Sequence, residues 1–347
     1  MRLARAALAA AIVAFTGPVA GVQDIAAPKP ADVQAMLAAL PDKAAVTPRQ
    51  PRRVLVLGKA LGYVHSSIPL AARTIEEMGR KTGAWSTTVT YDPADINDEN
   101  LARYDALFLA STSGPFLDDP EDAAVTAARR QALLDFVRGG KGLAGIHAAT
   151  VGYYQSSPTP GAPRAAARPA LTPPPRSSPP PLGPNGFPIQ APATELGPDT
   201  VVSTWPEFNR LIGAIFKFHW NDGQVVTIKV DEPDHPLNAA FKGQPPLHVM
   251  DETYTFAREI YSRRNVRVLT SVDYAAMSTE DKAKEQHPRP DGDYPLSWIR
   301  PEGKGRVFYE AHGHNEKVYA IKPLLAHLLY GMQYVLGDLK VDDRPRP

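Results

Sequence analysis

Between residues 52 and 146 the chain alternates short apolar segments with longer amphipathic ones, and this alternation constrains the fold more than any other feature. RRVLVLG (52–58) is nearly all apolar and ends in glycine, which is typical of a strand buried on both faces of a parallel sheet. YDALFLAS (104–111) and GLAGIH (142–147) repeat that pattern, and residues 69–81 and 122–138 have apolar side chains at helical spacing. We therefore predict an α/β fold with a mostly parallel sheet and helices on both faces.

A proline-rich segment interrupts this fold. Residues 156–200 hold 14 of the 36 prolines and few large apolar side chains, so they cannot form a packed core. Strand patterns resume with QVVTIKV (224–230), and an apolar-striped helix closes the chain near residue 335. We expect one α/β domain over residues 52–338, interrupted by a disordered insertion that either binds a protein partner or is a tolerated surface loop.

The ends of the chain have a different character. Arg2 and Arg5 precede a short apolar run, followed by small residues near Gly21, which is typical of a secretory signal peptide over residues 1–21. A buried N-terminal helix is the alternative. No cysteine follows the run to accept lipid, so we expect export to the periplasm or medium without a stable membrane anchor. Residues 22–51 then read as a tail or linker, and residues 339–347 as a C-terminal tail.

Composition excludes several classes of function. The chain contains no cysteine, which rules out disulfides, thiolate nucleophiles and zinc fingers. Its 38 basic and 37 acidic residues give a net charge of +1, which provides no general attraction for nucleic acid. GxSxG, a Walker motif and a GxGxxG directly after the first strand are all absent. Any catalysis therefore depends on oxygen and nitrogen groups.

Four histidines lie at ends of predicted elements. In parallel sheets ligands bind beyond the carboxyl ends of the strands, where His65 follows the first strand and His147 ends the fourth. His219 and His314 stand beside aromatic or glycine residues at further element ends. Imidazole and carboxylate groups suit zinc, manganese or iron. No short-spaced ligand pair occurs, so a metal site would have to be assembled from these four separated histidines.

Other charged residues have both functional and structural interpretations. Asp251 and Glu252 interrupt an apolar, aromatic segment, where burial would raise their pKa values and suit them to acid–base catalysis; a structural ion pair is the alternative. Arg306 could orient a polar substrate or form an internal salt bridge. Asp234 and His235 precede a proline, and a local turn explains them better than a ligand role.

Six separated motifs resemble the ThuA-like (trehalose utilisation) family of the class I glutamine amidotransferase-like superfamily. They occur in family order and are VLVLGKALGYVHSSIPLA, GGKGLAGIHAAT, FNRLIGAIFKFHW, DEPDHPL, MDETYTF and YPLSWIRPEGKGRVFYEAHGH. The resemblance implies a flavodoxin-like sheet in which His147 occupies the elbow of the nucleophilic cysteine of true amidotransferases, which excludes glutaminase activity. The family's polar signature falls on His65, His147, His219, Asp251, Glu252, Arg306 and His314. The sequence departs at Ser66, where the family often has aspartate.

The resemblance further implies a role in carbohydrate catabolism, notably of 3-keto-glycosides. On this basis we expect a small carbohydrate substrate, acid–base catalysis by His147, Glu252 and Asp251, and a divalent metal held by some of the four histidines. The residues expected to contact the substrate are Trp220, Tyr254, Trp298 and Arg306. Two other functions remain open: a non-catalytic carbohydrate-binding protein, and an interaction protein that uses the proline-rich segment.

Overall fold

The protein is described here by a computed structural model, which covers residues 26–156, 201–220, 223–285, 289 and 291–346. The predicted signal peptide and proline-rich insertion lie outside the described residues. The strands, in chain order, are β1 Arg53–Leu57, β2 Ser86–Thr90, β3 Ala106–Ala110, β4 Gly142–Ile146, β5 Tyr154–Ser156, β6 Val201–Ser203, β7 Phe216–His219, β8 Val225–Val230, β9 His248–Met250, β10 Tyr254–Phe256, β11 Arg267–Val272, β12 Pro295–Glu302 and β13 Gly305–Glu310.

The helices separate or flank these strands. They are α1 Pro30–Ala39, α2 Ile68–Thr82, α3 Asp98–Leu101, α4 Ala123–Arg138, α5 Pro206–Ile212, α6 Thr279–Ala283 and α7 Lys322–Val335. Short 3-10 helices cover Pro93–Asp95, His147–Val151, Pro236–Phe241 and Glu316–Ala320. Among the described helices, none has the length and apolar character needed to cross a membrane.

A nine-stranded sheet forms the centre of the molecule, in the order β2-β1-β3-β4-β13-β12-β11-β8-β9. The first five strands in that order pair in parallel and the remaining pairs are antiparallel. The parallel half has the 2-1-3-4-5 order of flavodoxin-like folds, with β13 as the fifth strand. Every residue of β3 and β4 is buried, as the apolar runs predicted. The structure confirms the predicted α/β fold.

The segment before β1 differs from the predicted tail. Its helix α1 packs against α2 and the Glu316–Ala320 turn and buries Met36. The backbone amides of Ala45 and Val46 donate to Oε1 of Gln333, at 2.7 and 3.1 Å, so α7 holds the following loop as well. Residues 26–51 therefore belong to the folded domain, because their partners come from the far end of the sequence.

The segment after residue 338 also contacts the domain. Arg267 donates to the backbone oxygen of Asp342 at 2.7 Å, and the Tyr334 hydroxyl donates to an Asp343 carboxylate oxygen at 2.8 Å. Leu339 and Val341 pack partly buried against the core. The described part of the predicted C-terminal tail is therefore docked on the fold.

Candidate functional site

The carboxyl ends of three parallel strands bring distant residues to one edge of the sheet. His65 lies in the loop after β1, His147 follows β4 directly, and His314 lies in the loop after β13. His147 has a positive φ of 46°, the strained left-handed conformation that turns its side chain at the strand end. The flavodoxin-like order places these strands close together, so the shared edge follows from the parallel pairing.

One further imidazole, of His219, and the carboxylate of Glu252 come from outside this parallel half. Strands β7 and β10 form a separate antiparallel ribbon in which Tyr254 pairs with His219. Asp251 and Glu252 occupy the connection between β9 and β10, and both are buried. The ribbon and this connection bring His219 and Glu252 to the strand-end histidines.

Glu252 is the centre of the resulting cluster. Its Oε2 atom lies 3.1 Å from Nδ1 of His314 and 3.4 Å from Nε2 of His147. Its Oε1 atom lies 3.2 Å from Nδ1 of His219. One carboxylate thus faces three imidazoles, each from a different element.

His65 and His147 contact one another at the base of the cluster. Nδ1 of His147 lies 3.0 Å from the carbonyl oxygen of Ala311, which can only accept, so Nδ1 carries the ring proton. The other ring nitrogen, Nε2, faces Nε2 of His65 at 3.2 Å and Oε2 of Glu252 at 3.4 Å. Nδ1 of His65 is buried and has no hydrogen-bond partner among the described residues.

The surroundings of Glu252 favour its ionised form. Burial alone would raise the pKa of Glu252, but the combined influence of the surrounding His147, His314 and His219 outweighs it and holds that pKa well below its usual range. Burial, reinforced by the neighbouring His147 and His314, lowers the pKa of His65 to about 2. The raised pKa expected for Glu252 is therefore corrected, because the histidines stabilise its charged form.

Asp251 has a different role from the predicted catalytic one. Its Oδ2 atom accepts from the Gly313 amide and its Oδ1 atom accepts from the Asn315 amide, both at 2.7 Å, and the side chain is fully buried. The carbonyl of Gly313 accepts in turn from the Ser67 hydroxyl at 2.6 Å. Asp251 thus fixes the loop that carries His314, and it is a positioning residue because both oxygens are engaged by backbone.

Four of these side chains fit a metal ion. One donor atom from each lies within 4.8 Å of the others, and the four residues are His65, His147, Glu252 and His314. Three imidazoles and one carboxylate form the nitrogen and oxygen donor set that zinc, manganese and iron accept. Nε2 of His65 and Nε2 of His147, which lie 3.2 Å apart at this point, are also placed to share a cation. Relative to the set expected from sequence, Glu252 joins the group and His219 lies at its edge.

The open side of the cluster is formed by His219 and His314, whose side chains are 25% and 21% exposed. Nδ1 of His219 faces both the Glu252 carboxylate and the backbone oxygen of Trp220, at 3.2 and 3.1 Å. Because both partners are acceptors, Nδ1 carries the proton, and Nε2 is the atom of this imidazole that can exchange a proton with a ligand. Tyr63, which sequence reasoning missed, lies beside this opening with its ring 4.7 Å from that of His65.

Two predicted substrate-binding residues lie elsewhere. Trp298 is fully buried, stacks on Tyr309 and donates its indole N–H to the Ile212 carbonyl at 2.9 Å. Arg306 pairs with Gly142 at the amino end of β4, on the edge of the sheet opposite the cluster. Their assignment is corrected, because one is a core side chain and the other lies at the wrong strand end.

The remaining two aromatic residues lie near the site but are not open to a ligand. Trp220 is 1% exposed and packs edge-on against Tyr294. Tyr254 is 2% exposed, and its ring centroid lies 4.3 Å from that of His147. Tyr254 therefore backs the imidazole of His147, and the predicted contact of either residue with substrate is corrected on grounds of burial.

Ser66, which departs from the family pattern, and His235, for which a local turn was predicted, both form hydrogen bonds with neighbouring structure. The Ser66 hydroxyl donates to Glu316 at 2.6 Å on the surface, so its described side-chain bond is to Glu316 rather than to His65. Nδ1 of His235 accepts from the Leu237 amide at 3.3 Å, which agrees with the turn interpretation.

A second histidine and carboxylate group, also missed from sequence, lies in the core behind the site. His312 contacts Glu310 at 2.6 Å, while His327 bonds to the Leu237 carbonyl at 2.9 Å and to the Ser297 hydroxyl at 3.0 Å. His312 and His327 are 3% and 0% exposed. We refer to Glu310, His312 and His327 as the core histidine group.

Comparison with known proteins agrees with this architecture. In solved structures, a ThuA-like protein from Bacteroides uniformis aligns with a TM-score of 0.53 at 18% identity, over 83% of this chain and 93% of its own. A ThuA-like protein from Parabacteroides merdae aligns with a TM-score of 0.46 at 15% identity, over 84% and 92%. No curated protein matches the chain. The sequence model of the ThuA family, described as trehalose utilisation, matches residues 53–165 and 197–335. Since those segments make up most of the chain, the protein belongs to the ThuA (trehalose utilisation) family.

Proposed function

We propose that the protein is an enzyme of carbohydrate catabolism that acts on a sugar or 3-keto-glycoside at a divalent-metal site formed by His65, His147, Glu252 and His314. The observation that carries the proposal is the convergence of these donors on one partly open point. Each comes from a different loop, and the carboxylate remains ionised. The family's link to trehalose utilisation supports a carbohydrate as the substrate class.

The arrangement divides the chemical tasks among the residues. A metal bound by these donors would polarise a substrate carbonyl or acidify a water molecule. His219 is the group that exchanges a proton with the substrate, because its Nδ1 is held by two acceptors and its Nε2 remains for proton transfer. Glu252 orients His219 through the contact between its Oε1 atom and Nδ1 of the imidazole. His147, fully buried, holds the base of the site.

The test combines metal analysis with turnover. Mass spectrometry of the purified protein should find about one equivalent of zinc, manganese or iron, which His147→Ala loses. His248→Ala is the matched control, since His248 is an exposed histidine outside the cluster. A panel of trehalose and 3-keto-glycosides should be consumed by the wild type and the control. Absence of metal after supplementation with all three ions would overturn the metal site, and tight sugar binding without turnover would identify a binding protein.

The cellular location is a separate proposal. We propose export, supported by the two arginines and the apolar run within residues 1–21. Fractionation of cells that express the full chain should recover a protein shortened by about 20 residues outside the cytoplasm. Recovery of the intact chain in the cytoplasm would contradict export and leave the site proposal unaffected.

A further inference from the structure

The loop after β1 exposes apolar side chains at the edge of the cluster. Among the described residues, six large hydrophobic side chains are exposed, and three of them lie in this loop. They are Leu61, Tyr63 and Val64. Tyr63 is the most exposed of them, at 68%. Single exposed apolar residues are common, but Tyr63 is the one of these three that places an aromatic ring beside the partly open cluster, where the ring can contact a ligand.

The ring of Tyr63 is aligned with the open side of the cluster. It meets the His65 ring nearly edge-on, and it lies almost parallel to the His314 ring, at 18° and a centroid distance of 6.5 Å. Aromatic rings present a flat apolar face with a polar tip. The accessible face of Tyr63 therefore lies next to the imidazole that closes one side of the opening.

Backbone contacts hold this loop in place. The amides of Leu61 and Gly62 donate to the Ser113 carbonyl at 2.8 and 3.3 Å, and the Ser113 hydroxyl donates to the Tyr63 carbonyl at 2.7 Å. Gly114 has a φ of +63° and packs so closely that a Cβ there would lie 2.5 Å from the Gly62 nitrogen. Because the loop is fixed before a ligand arrives, little ordering is required on binding.

We propose that Tyr63 is a stacking platform for the pyranose ring of the substrate, which makes it a specificity-determining residue for ring sugars. This inference rests on the proposed function and names the form of sugar that the site recognises. The C–H face of a pyranose is apolar and its hydroxyl rim is polar. Stacking that face on Tyr63 directs the rim toward His314 and His219, the exposed histidines of the cluster.

The test measures binding of trehalose and of sorbitol, an acyclic polyol without a ring face, to the metal-loaded full chain. For Tyr63→Ala we expect about a tenfold weaker affinity for trehalose, equivalent to about 1.4 kcal/mol, and an unchanged affinity for sorbitol. Tyr63→Phe should retain trehalose binding. Val64→Ala is the matched control, because it removes an exposed apolar side chain of the same loop without removing a ring.

Metal content and kinetics separate stacking from a structural role. In Tyr63→Ala the metal content should equal that of the wild type, and the loss should appear in KM with kcat within about twofold, as for uniform binding. Equal weakening for trehalose and sorbitol, or loss of metal, would overturn the platform and leave the proposed function standing. A metal-loaded wild type that binds neither trehalose nor a 3-keto-glycoside would overturn both.

Discussion

The cluster around Glu252 and the core histidine group contain the same residue types but have opposite arrangements. In the cluster, His147, His219 and His314 face one carboxylate, and the last two imidazoles are partly exposed. In the core histidine group, His327 has a donor or acceptor at each ring nitrogen. Each group also contains one buried ring nitrogen without a hydrogen-bond partner among the described residues, Nδ1 of His65 and Nε2 of His312, so access to solvent is what separates them. The comparison shows that histidine and glutamate indicate a reactive site where several imidazoles converge on one carboxylate near solvent, whereas the same residue types enclosed in the core stabilise the fold.

The largest expected effect concerns the charge at the centre of the cluster. Glu252→Gln preserves the shape of the side chain but removes the anion. If about 10–16 kcal/mol of metal binding is shared equally among four ligands, one ligand accounts for about 2.5–4 kcal/mol, which is an affinity loss of about 70- to 900-fold. Competition titration with a chelator measures this loss. Glu316→Gln is the control, because Glu316 bonds only to Ser66 among its described hydrogen-bond partners; equal metal affinities in the two variants would argue against the site.

The core histidine group should show the opposite response. His327→Ala leaves the Ser297 hydroxyl and the Leu237 carbonyl without their imidazole partner and creates a cavity, so we expect the free energy of unfolding to fall by about 2–3 kcal/mol. Urea denaturation measures this change. Metal content should stay at the wild-type value, and a loss of metal in this variant would show that the two groups are coupled.

Asp251 offers an intermediate effect. Both carboxylate oxygens of Asp251 accept hydrogen bonds, from the backbone amides of Gly313 and Asn315. In Asp251→Asn an NH₂ group replaces one of these oxygens, so one of the two backbone N–H groups faces another donor. We expect metal affinity to fall by about 10- to 100-fold, as for other residues that orient ligands. Circular dichroism controls for folding. Unchanged affinity would mean that the 311–315 loop holds its position without this carboxylate.

The smallest effect is a pH dependence from the core histidine group. Burial lowers the pKa of His327 from 6.5, so below pH 6.5 the unfolded chain binds a proton at this position that the folded protein excludes. Its contribution to stability is therefore lost as the pH falls below 6.5, with a slope of at most about 1.4 kcal/mol per pH unit. The unfolding free energy of wild type and His327→Gln, measured from pH 7 to 5, should converge; parallel curves would contradict the shift.

Part of the site could be predicted from sequence because it follows from the sheet. Parallel strands end at a common edge, so His65 and His147 could be placed together from the strand pattern alone. Glu252 was identified as a candidate, but its role was not, because its pKa depends on three imidazoles from distant segments. In the sequence, Tyr63 is distinguished only by its place in the short stretch between Gly62 and His65. Its importance depends on its exposure, which only the folded structure shows.

Other residues show why local patterns were insufficient. Trp298 lies in a strand next to polar residues, and nothing in that pattern tells which face is covered. Helix α1 has a buried Met36 whose partners include the Glu316–Ala320 turn, nearly 300 positions later. Contacts over such sequence distances leave no local periodicity, so residues 26–51 resembled a tail.

The sequence by itself determined the α/β class, the flavodoxin-like sheet through its family motifs, the edge at which function is expected, and the exclusion of thiol chemistry. Only the tertiary structure decided which histidines converge, which carboxylate they surround and which aromatic ring is open to a ligand. The physical reason is that strand patterns record local burial, whereas a site depends on distances, exposure and hydrogen bonds between segments that meet only in the folded chain.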